Sequence, residues 1–374
     1  MPVAEVRAHT TPEVLRWARE AAQLSVDAAA RKAGVTPERL EDAEAGKHLL
    51  TIRQARLVAA AYGRSFAFLL RPEPPDEPSV ATKFRHLRDA PPPPWSPDLV
   101  RLEREIRERQ DAAVALYAAM GDDPPWREGM ARLGLPDSLP TPDTVRAVLD
   151  LSPPALRAAK TNDLWHSRRV VLRAIEWTGV LVVRQRIPDQ GVRGFLLPHD
   201  EAPAIYVNSG EDPRAQTFTI LHEFAHLLLL TASRTRQGEE DWCEQFASEV
   251  LMPQDEFSTH YRAVATGDAI GTAKALAFEF GVTPFAAATR ARRLGLFTVG
   301  DLIAVRDRPT RVAFGDGGNG NRNKVARLSP TFTDLVLAAA DSSAVTLTTA
   351  SRLLRTKVDD FDKLREFSAQ ALAG

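Results

Sequence analysis

The chain has 374 residues, 44% apolar and 26% charged, a globular composition over more sequence than one hydrophobic core usually organises, so two or three domains are expected. A formal net charge of -1 and a pI near 6.7 give no overall basic field, so any nucleic-acid contact must come from a local patch. The single cysteine, Cys243, excludes an intramolecular disulfide and a thiolate-rich metal centre. The amino-terminal segment carries Glu5, Arg7, Glu13, Arg16, Arg19 and Glu20 and has no continuous apolar core of the secretory type. No apolar run is long enough to span a bilayer, so a cytoplasmic location with no membrane partner is expected.

Residues 11 to 70 read as several short amphipathic helices, with Leu15, Ala18 and Ala22, then Val26, Ala29 and Ala30, then Ile52, Leu57, Val58 and Tyr62 at helical spacing. Between two of them, Gly34 suits a left-handed helix end, Thr36 an N-cap and Pro37 the first helical position, which predicts a tight helix-turn-helix joint. From Arg71 to Pro97 the composition turns proline-rich and marks a domain boundary. A charged helix is predicted from about Asp98 to Met120, then a second proline-rich stretch from Pro124 to Pro154 and a helix ending at Gly179. Short strands are expected at Val180 to Val183, Gly194 to Leu197 and Ala204 to Val207. Asp212-Pro213 opens a helix running to about Leu230, and another runs from Glu239 to Leu251, stopped by Pro253. More helices follow from Thr272 to Leu294, and the tract Gly315 to Asn321 reads as a second linker before a helical end.

His222-Glu223-Phe224-Ala225-His226 places two imidazoles four residues apart on one helix face, where both can reach a single Zn2+ ion. Glu223 projects beside that ion, where a carboxylate can take a proton from a zinc-bound water and pass it to the leaving amine. A catalytic zinc needs a third protein ligand, and the helix after the motif offers acidic candidates. Its apolar face is Cys243, Phe246, Ala247, Val250 and Leu251, and Glu240 and Glu244 project to the edge of that face. A metal offsets the cost of burying them if Glu240 ligates and Glu244 hydrogen-bonds a ligating histidine. Glu239 also projects inward, so periodicity leaves the choice open. Glu249 is expected on the solvated side, and Cys243 as a small buried apolar residue.

Residues 204 to 253, with Tyr206-Val207-Asn208, Phe218 to His226, and Glu240 through Phe246 to Pro253, resemble the ImmA/IrrE metallopeptidases. The resemblance implies a zinc enzyme that cleaves repressor proteins, and it favours Glu240 as third ligand. Residues 14 to 70 resemble the Xre-type helix-turn-helix fused to such peptidases, carried by Leu15 to Arg19, Thr51-Ile52-Arg53-Gln54 and Phe68 to Pro75. In such folds the second helix of the motif enters the major groove, presenting Thr36, Glu38 and Arg39, with Arg53 a further phosphate contact. Glu41, Asp42 and Glu44 on that helix oppose a phosphate backbone, so protein docking competes with double-stranded DNA as its role.

The expected fold class is multidomain: an all-α helix-turn-helix domain over 1–71, a proline-rich and helical connection over 72–154, an α+β zincin-like peptidase domain over 155–314, and a Gly-rich linker with a mostly helical C-terminal segment over 315–374. The expected function is a zinc-dependent endopeptidase acting on a repressor-like or antitoxin-like protein. The competing reading is a DNA-binding transcriptional regulator with a structural or sensory metal site, and a third is an adaptor that keeps the fold alone. For the transition-state oxyanion, Tyr206, Tyr261 and Arg290 are the candidate donors.

Overall fold

A computed structural model describes residues 6–75, 96–158, 163–187, 192–234, 237–265, 267–307 and 320–373. Most of the expected proline-rich boundary after Pro75 and the expected linker Gly315 to Asn321 as far as Asn319 lie outside the described residues, while Gly320 and Asn321 belong to a helix. The chain divides into two compact units, residues 1–105 and 106–374, and the division falls inside the helix Pro97–Met120. No described helix is long and apolar enough to cross a membrane.

The first unit begins with the helices Pro12–Ala21, Val26–Ala33, Pro37–Glu44 and Ile52–Ala61. Ser25 Oγ and Thr36 Oγ1 accept the backbone N–H of Ala28 and Arg39, and Thr51 and Gln54 form a reciprocal capping box. Gly34, at φ 65, ends the second helix in the left-handed region that an L side chain resists, and so makes the expected turn. Leu15, Ala18, Leu40, Leu50, Val58 and Leu69 meet in a single core. Glu44 is buried beneath this core with both its oxygens on Arg19, at 2.8 and 2.9 Å, and with the Tyr62 hydroxyl at 3.3 Å. Its charge is therefore neutralised inside the fold rather than turned towards a phosphate backbone, unlike Glu41, which is exposed.

In the second unit a three-stranded sheet has the order β1-β3-β2, with β1 Leu181–Gln185 parallel to β3 Ala204–Asn208, and β2 Gly194–Leu197 antiparallel to it. The motif helix, Pro213–Thr231, packs beneath β2 and β3 and against the acidic helix, Glu239–Leu251. Val182, Leu196, Ile205 and Val207 from one sheet face join Ile220, Phe224, Leu228, Phe246 and Val250 in a continuous core. That sheet and these helices form an α+β arrangement.

The stretch from Pro124 to Pro154 holds more structure than its composition predicts, with helices at Trp126–Arg132, Pro142–Leu149 and Pro153–Leu156. Pro142 and Pro153 stand at first helical positions, where the missing N–H costs nothing and the fixed φ favours a helix start. Trp126, Met130, Val145 and Leu149 enter the same core as the motif helix. The carboxy-terminal helices Gly320–Leu328 and Pro330–Asp341 pack on β1. They are anchored through Glu176, whose carboxylate accepts from Val182 N at 2.9 Å, Thr331 N at 2.6 Å and Ser329 Oγ at 3.1 Å.

Candidate metal centre

Asp212 caps the motif helix by accepting the Arg214 N–H, and Pro213 fills its first position. The helix is apolar around nearly its whole circumference, because sheet and helices enclose it. Within it, His222 and His226 bring their Nε2 atoms to 3.2 Å of each other. From the acidic helix, Glu240 reaches both, with Oε2 3.3 Å from His222 Nε2 and Oε1 3.5 Å from His226 Nε2. A tetrahedral ion with bonds near 2.0 Å separates its ligand atoms by about 3.3 Å, so these three groups already hold the spacing a zinc ion requires. Among the described residues this is the group of three whose geometry suits a cation.

The electrostatics agree with the geometry. Hydrogen bonds from His222 and His226 hold the Glu240 carboxyl well below the usual carboxylate range. Burial alone would push the His226 imidazole down, but hydrogen bonds with Cys243 and Glu240 and the charge of Glu223 push it up to about 11. Both shifts describe a site that favours positive charge, whether a proton or a metal ion supplies it. Glu223 itself is buried on the motif helix, 8% exposed, which shields its carboxylate from bulk water. Its Cγ would lie 3.6 Å from a Cβ placed on Gly194, so the first residue of β2 passes directly beside it.

Other acidic residues are placed differently from their expected roles. Glu239, left open by periodicity, takes the hydrogen bond from His226 Nδ1 at 2.8 Å. Glu244, expected in that position, instead pairs with Arg293 Nη2 at 2.6 Å near the surface. The reason is distance along the helix: Glu244 sits one turn beyond Glu240 and is carried about 6 Å away, whereas Glu239 immediately precedes Glu240. Glu249 is not simply solvated, since it pairs with Arg290 and accepts the Gln254 N–H at 3.0 Å. Cys243 is fully buried as expected.

The three candidate oxyanion donors are directed elsewhere. Tyr206 Oη donates to Gln185 O at 2.9 Å, Tyr261 Oη to Leu296 O at 3.0 Å, and Arg290 Nε to Met252 O at 3.1 Å. Arg146 supports the same turn by donating to Glu249 O at 2.6 Å. Sequence spacing gives no signal for Arg146, and Arg290 is singled out only as a candidate oxyanion donor; both brace this turn from helices elsewhere in the chain. In the first unit, Thr36 is committed to its cap, Arg39 Nη2 donates to Leu49 O at 2.9 Å, and Arg53 is exposed.

Residues 175–292 match the family model described as the IrrE N-terminal-like domain, a peptidase family, and residues 13–67 match a helix-turn-helix domain model. The chain joins a helix-turn-helix domain to an IrrE N-terminal-like domain. The peptidase match contains all three sheet strands, His222, Glu223, His226 and Glu240. No curated protein and no solved structure gives a match.

Proposed function

We propose that the IrrE N-terminal-like domain is a zinc-dependent endopeptidase whose ligands are His222, His226 and Glu240 and whose general base is Glu223. The observation that carries the reading is the convergence of the two Nε2 atoms and the Glu240 carboxylate at tetrahedral spacing, with Glu223 on the same helix. A zinc ion held there would supply Lewis-acid polarisation of the scissile carbonyl and lower the pKa of the attacking water. The Glu223 carboxylate takes up the proton that this water loses and delivers it to the leaving nitrogen as the C–N bond breaks and the C–O bond forms. Glu239 holds the His226 ring in the tautomer that leaves Nε2 free to ligate. The outer side of β2 is unpaired among the described residues, so an extended substrate segment can add there as a strand beside Glu223.

The substrate class that fits this reading is a repressor-like or antitoxin-like protein, recognised in the cytoplasm. Double-stranded DNA is the proposed partner of the helix-turn-helix domain, through Thr36, Arg39 and Arg53. A regulator that only senses metal has less support, because a purely structural site has no use for a buried carboxylate at Glu223.

The test is incubation of the zinc-loaded full chain with repressor-like proteins encoded beside it, with Glu223→Gln as control. The variant is expected to keep its zinc and its circular dichroism and to lose cleavage. Turnover by the variant would remove Glu223 as base.

A further inference from the structure

Two arginines in the peptidase unit lie apart from the metal centre and lack an ion-pair partner among the described residues. Arg184 is the fourth residue of β1, opposite Val207 of β3, on the face that packs against the helices. Its Nε is sealed from solvent and meets no hydrogen-bond acceptor among the described residues. Arg168 lies in the first turn of the helix His166–Trp177, and its guanidinium makes one long contact, Nη1 to Gln216 Oε1 at 3.4 Å.

Connectivity brings the two together. The helix His166–Trp177 leads through a short turn into β1, so the chain reverses. Arg168 stands about 13 Å back along the helix and Arg184 about 10 Å forward along the strand, which leaves them at the same end of the layer. A series of bonds closes the circuit: Gln216, which meets Arg168, donates Nε2 to Ser209 O at 3.4 Å, and Ser209 N donates to Gln185 O at 3.2 Å, the residue after Arg184.

The nearby carboxylates among the described residues are occupied. Asp163 pairs with Arg169, Asp212 with Arg214, and Glu211 lies against Arg193. Glu176 acts on Arg184 from a distance but is committed to Val182, Ser329 and Thr331. Burial, and then the neighbouring charge of Arg184, push the Arg168 guanidinium well down, while burial pushes Arg184 down to about 10. Two half-buried cations that repel each other, with no counter-ion paired to them among the described residues, are costly, and a bound anion resolves that cost. Paired guanidinium forks match the oxygens of a phosphoryl group and its double charge.

We propose that Arg168 and Arg184 form an oxyanion site for a phosphoryl group, held at the end of β1 beside the start of the motif helix. Gln216 lies six residues before His222 on that helix, so an occupied site braces the element that carries the metal ligands.

Thermal unfolding of the zinc-loaded full chain tests this, with inorganic phosphate and adenosine monophosphate titrated separately against sodium chloride of equal ionic strength. A saturable rise of roughly 5 °C at about a hundredfold excess over Kd is expected for at least one of the two. A response to inorganic phosphate identifies the free ion as sufficient, and a response to the nucleotide alone identifies a phosphoryl group on a larger ligand. Arg184→Met, which keeps the apolar stem, should lose the rise while retaining zinc. Arg184→Lys, which keeps charge without the fork, should weaken apparent affinity at least tenfold. No saturable response in the wild type overturns the proposal. So does an undiminished response in folded Arg184→Met, which would place the anion at the metal or on the helix-turn-helix domain.

Discussion

His226 Nδ1 donates to Glu239 Oε1 at 2.8 Å while His226 Nε2 faces Glu240, so adjacent glutamates address opposite sides of one imidazole. The first orients the ring and the second shares its proposed ion. His222 has no such support among the described residues, since its Nδ1 is buried without a hydrogen-bond partner there.

Loss of the orienting carboxylate should weaken the centre without dismantling it. Glu239→Gln is expected to lower zinc affinity about 10- to 100-fold, read by competition with a chromophoric chelator. Glu244→Ala, which leaves Arg293 paired with Asp241, should leave affinity unchanged. The reverse pattern would return the supporting role to Glu244.

Removing the third ligand should be more severe. Glu240→Ala leaves two imidazoles, and less than about one-tenth of the wild-type zinc content should survive gel filtration in a weak chelator. Full zinc content in that variant would show that another group completes the set.

Gly194 is held by close packing rather than by turn geometry. A Cβ there would lie 2.4 Å from Thr219 Cγ2 and 2.8 Å from Tyr206 O. Gly194→Ala should push β2 off the motif helix, cost about 1–3 kcal/mol of stability and slow any cleavage. Adding Thr219→Ser removes the methyl but not the backbone clash, so denaturant melts should show partial recovery. Wild-type stability in the single variant would contradict the close approach.

Glu176 gives the peptidase unit a pH dependence of unusual sign for a carboxylate. Burial raises it to about 7 despite the donors at Thr331, Val182 and Ser329, against about 4.3 when unfolded. Between those values the native state binds a proton that the unfolded state does not, so the contribution is complete below the unfolded value and disappears as pH rises through the folded one. By linkage this amounts to about 3–4 kcal/mol. Urea midpoints should fall from pH 5 to pH 8 in the wild type and fall less steeply in Glu176→Gln; parallel profiles would reject the assignment.

For the helix-turn-helix domain, Arg39→Ala with Arg53→Ala should weaken duplex binding and reduce the salt slope by about one unit for each phosphate no longer neutralised. Arg53, exposed and uncommitted among the described residues, should account for more of this effect than Arg39, whose guanidinium already binds Leu49 O. A mobility-shift titration unchanged across salt would favour a protein partner.

Local signals made much of the fold legible. Asp212-Pro213, Thr36-Pro37 and Gly34 mark helix boundaries through chemistry that acts within a few residues, and the structure places helices where they point. The same prolines misled between Pro124 and Pro154, because Pro142 and Pro153 start helices and are not spacers. The His-Glu-x-x-His spacing identifies one face of one helix. The choice among Glu239, Glu240 and Glu244 depends on how a second helix is placed against it, which no periodicity encodes. Arg168 and Arg184 gave no signal at all, since their shared position follows from a chain reversal and a sheet.

The carboxylate at Glu176 and its donors Ser329 and Thr331 are separated by more than 150 positions. During synthesis at about 5–20 residues per second, the helix and strand around Glu176 leave the ribosome roughly 8–30 s before those donors exist. Until then the nascent domain contains an acid with only the Val182 N–H of these donors, and its first strand lacks two of the helices that pack on it. Sequence made long after the first strand thus completes both the support of its buried acid and the covering of its face.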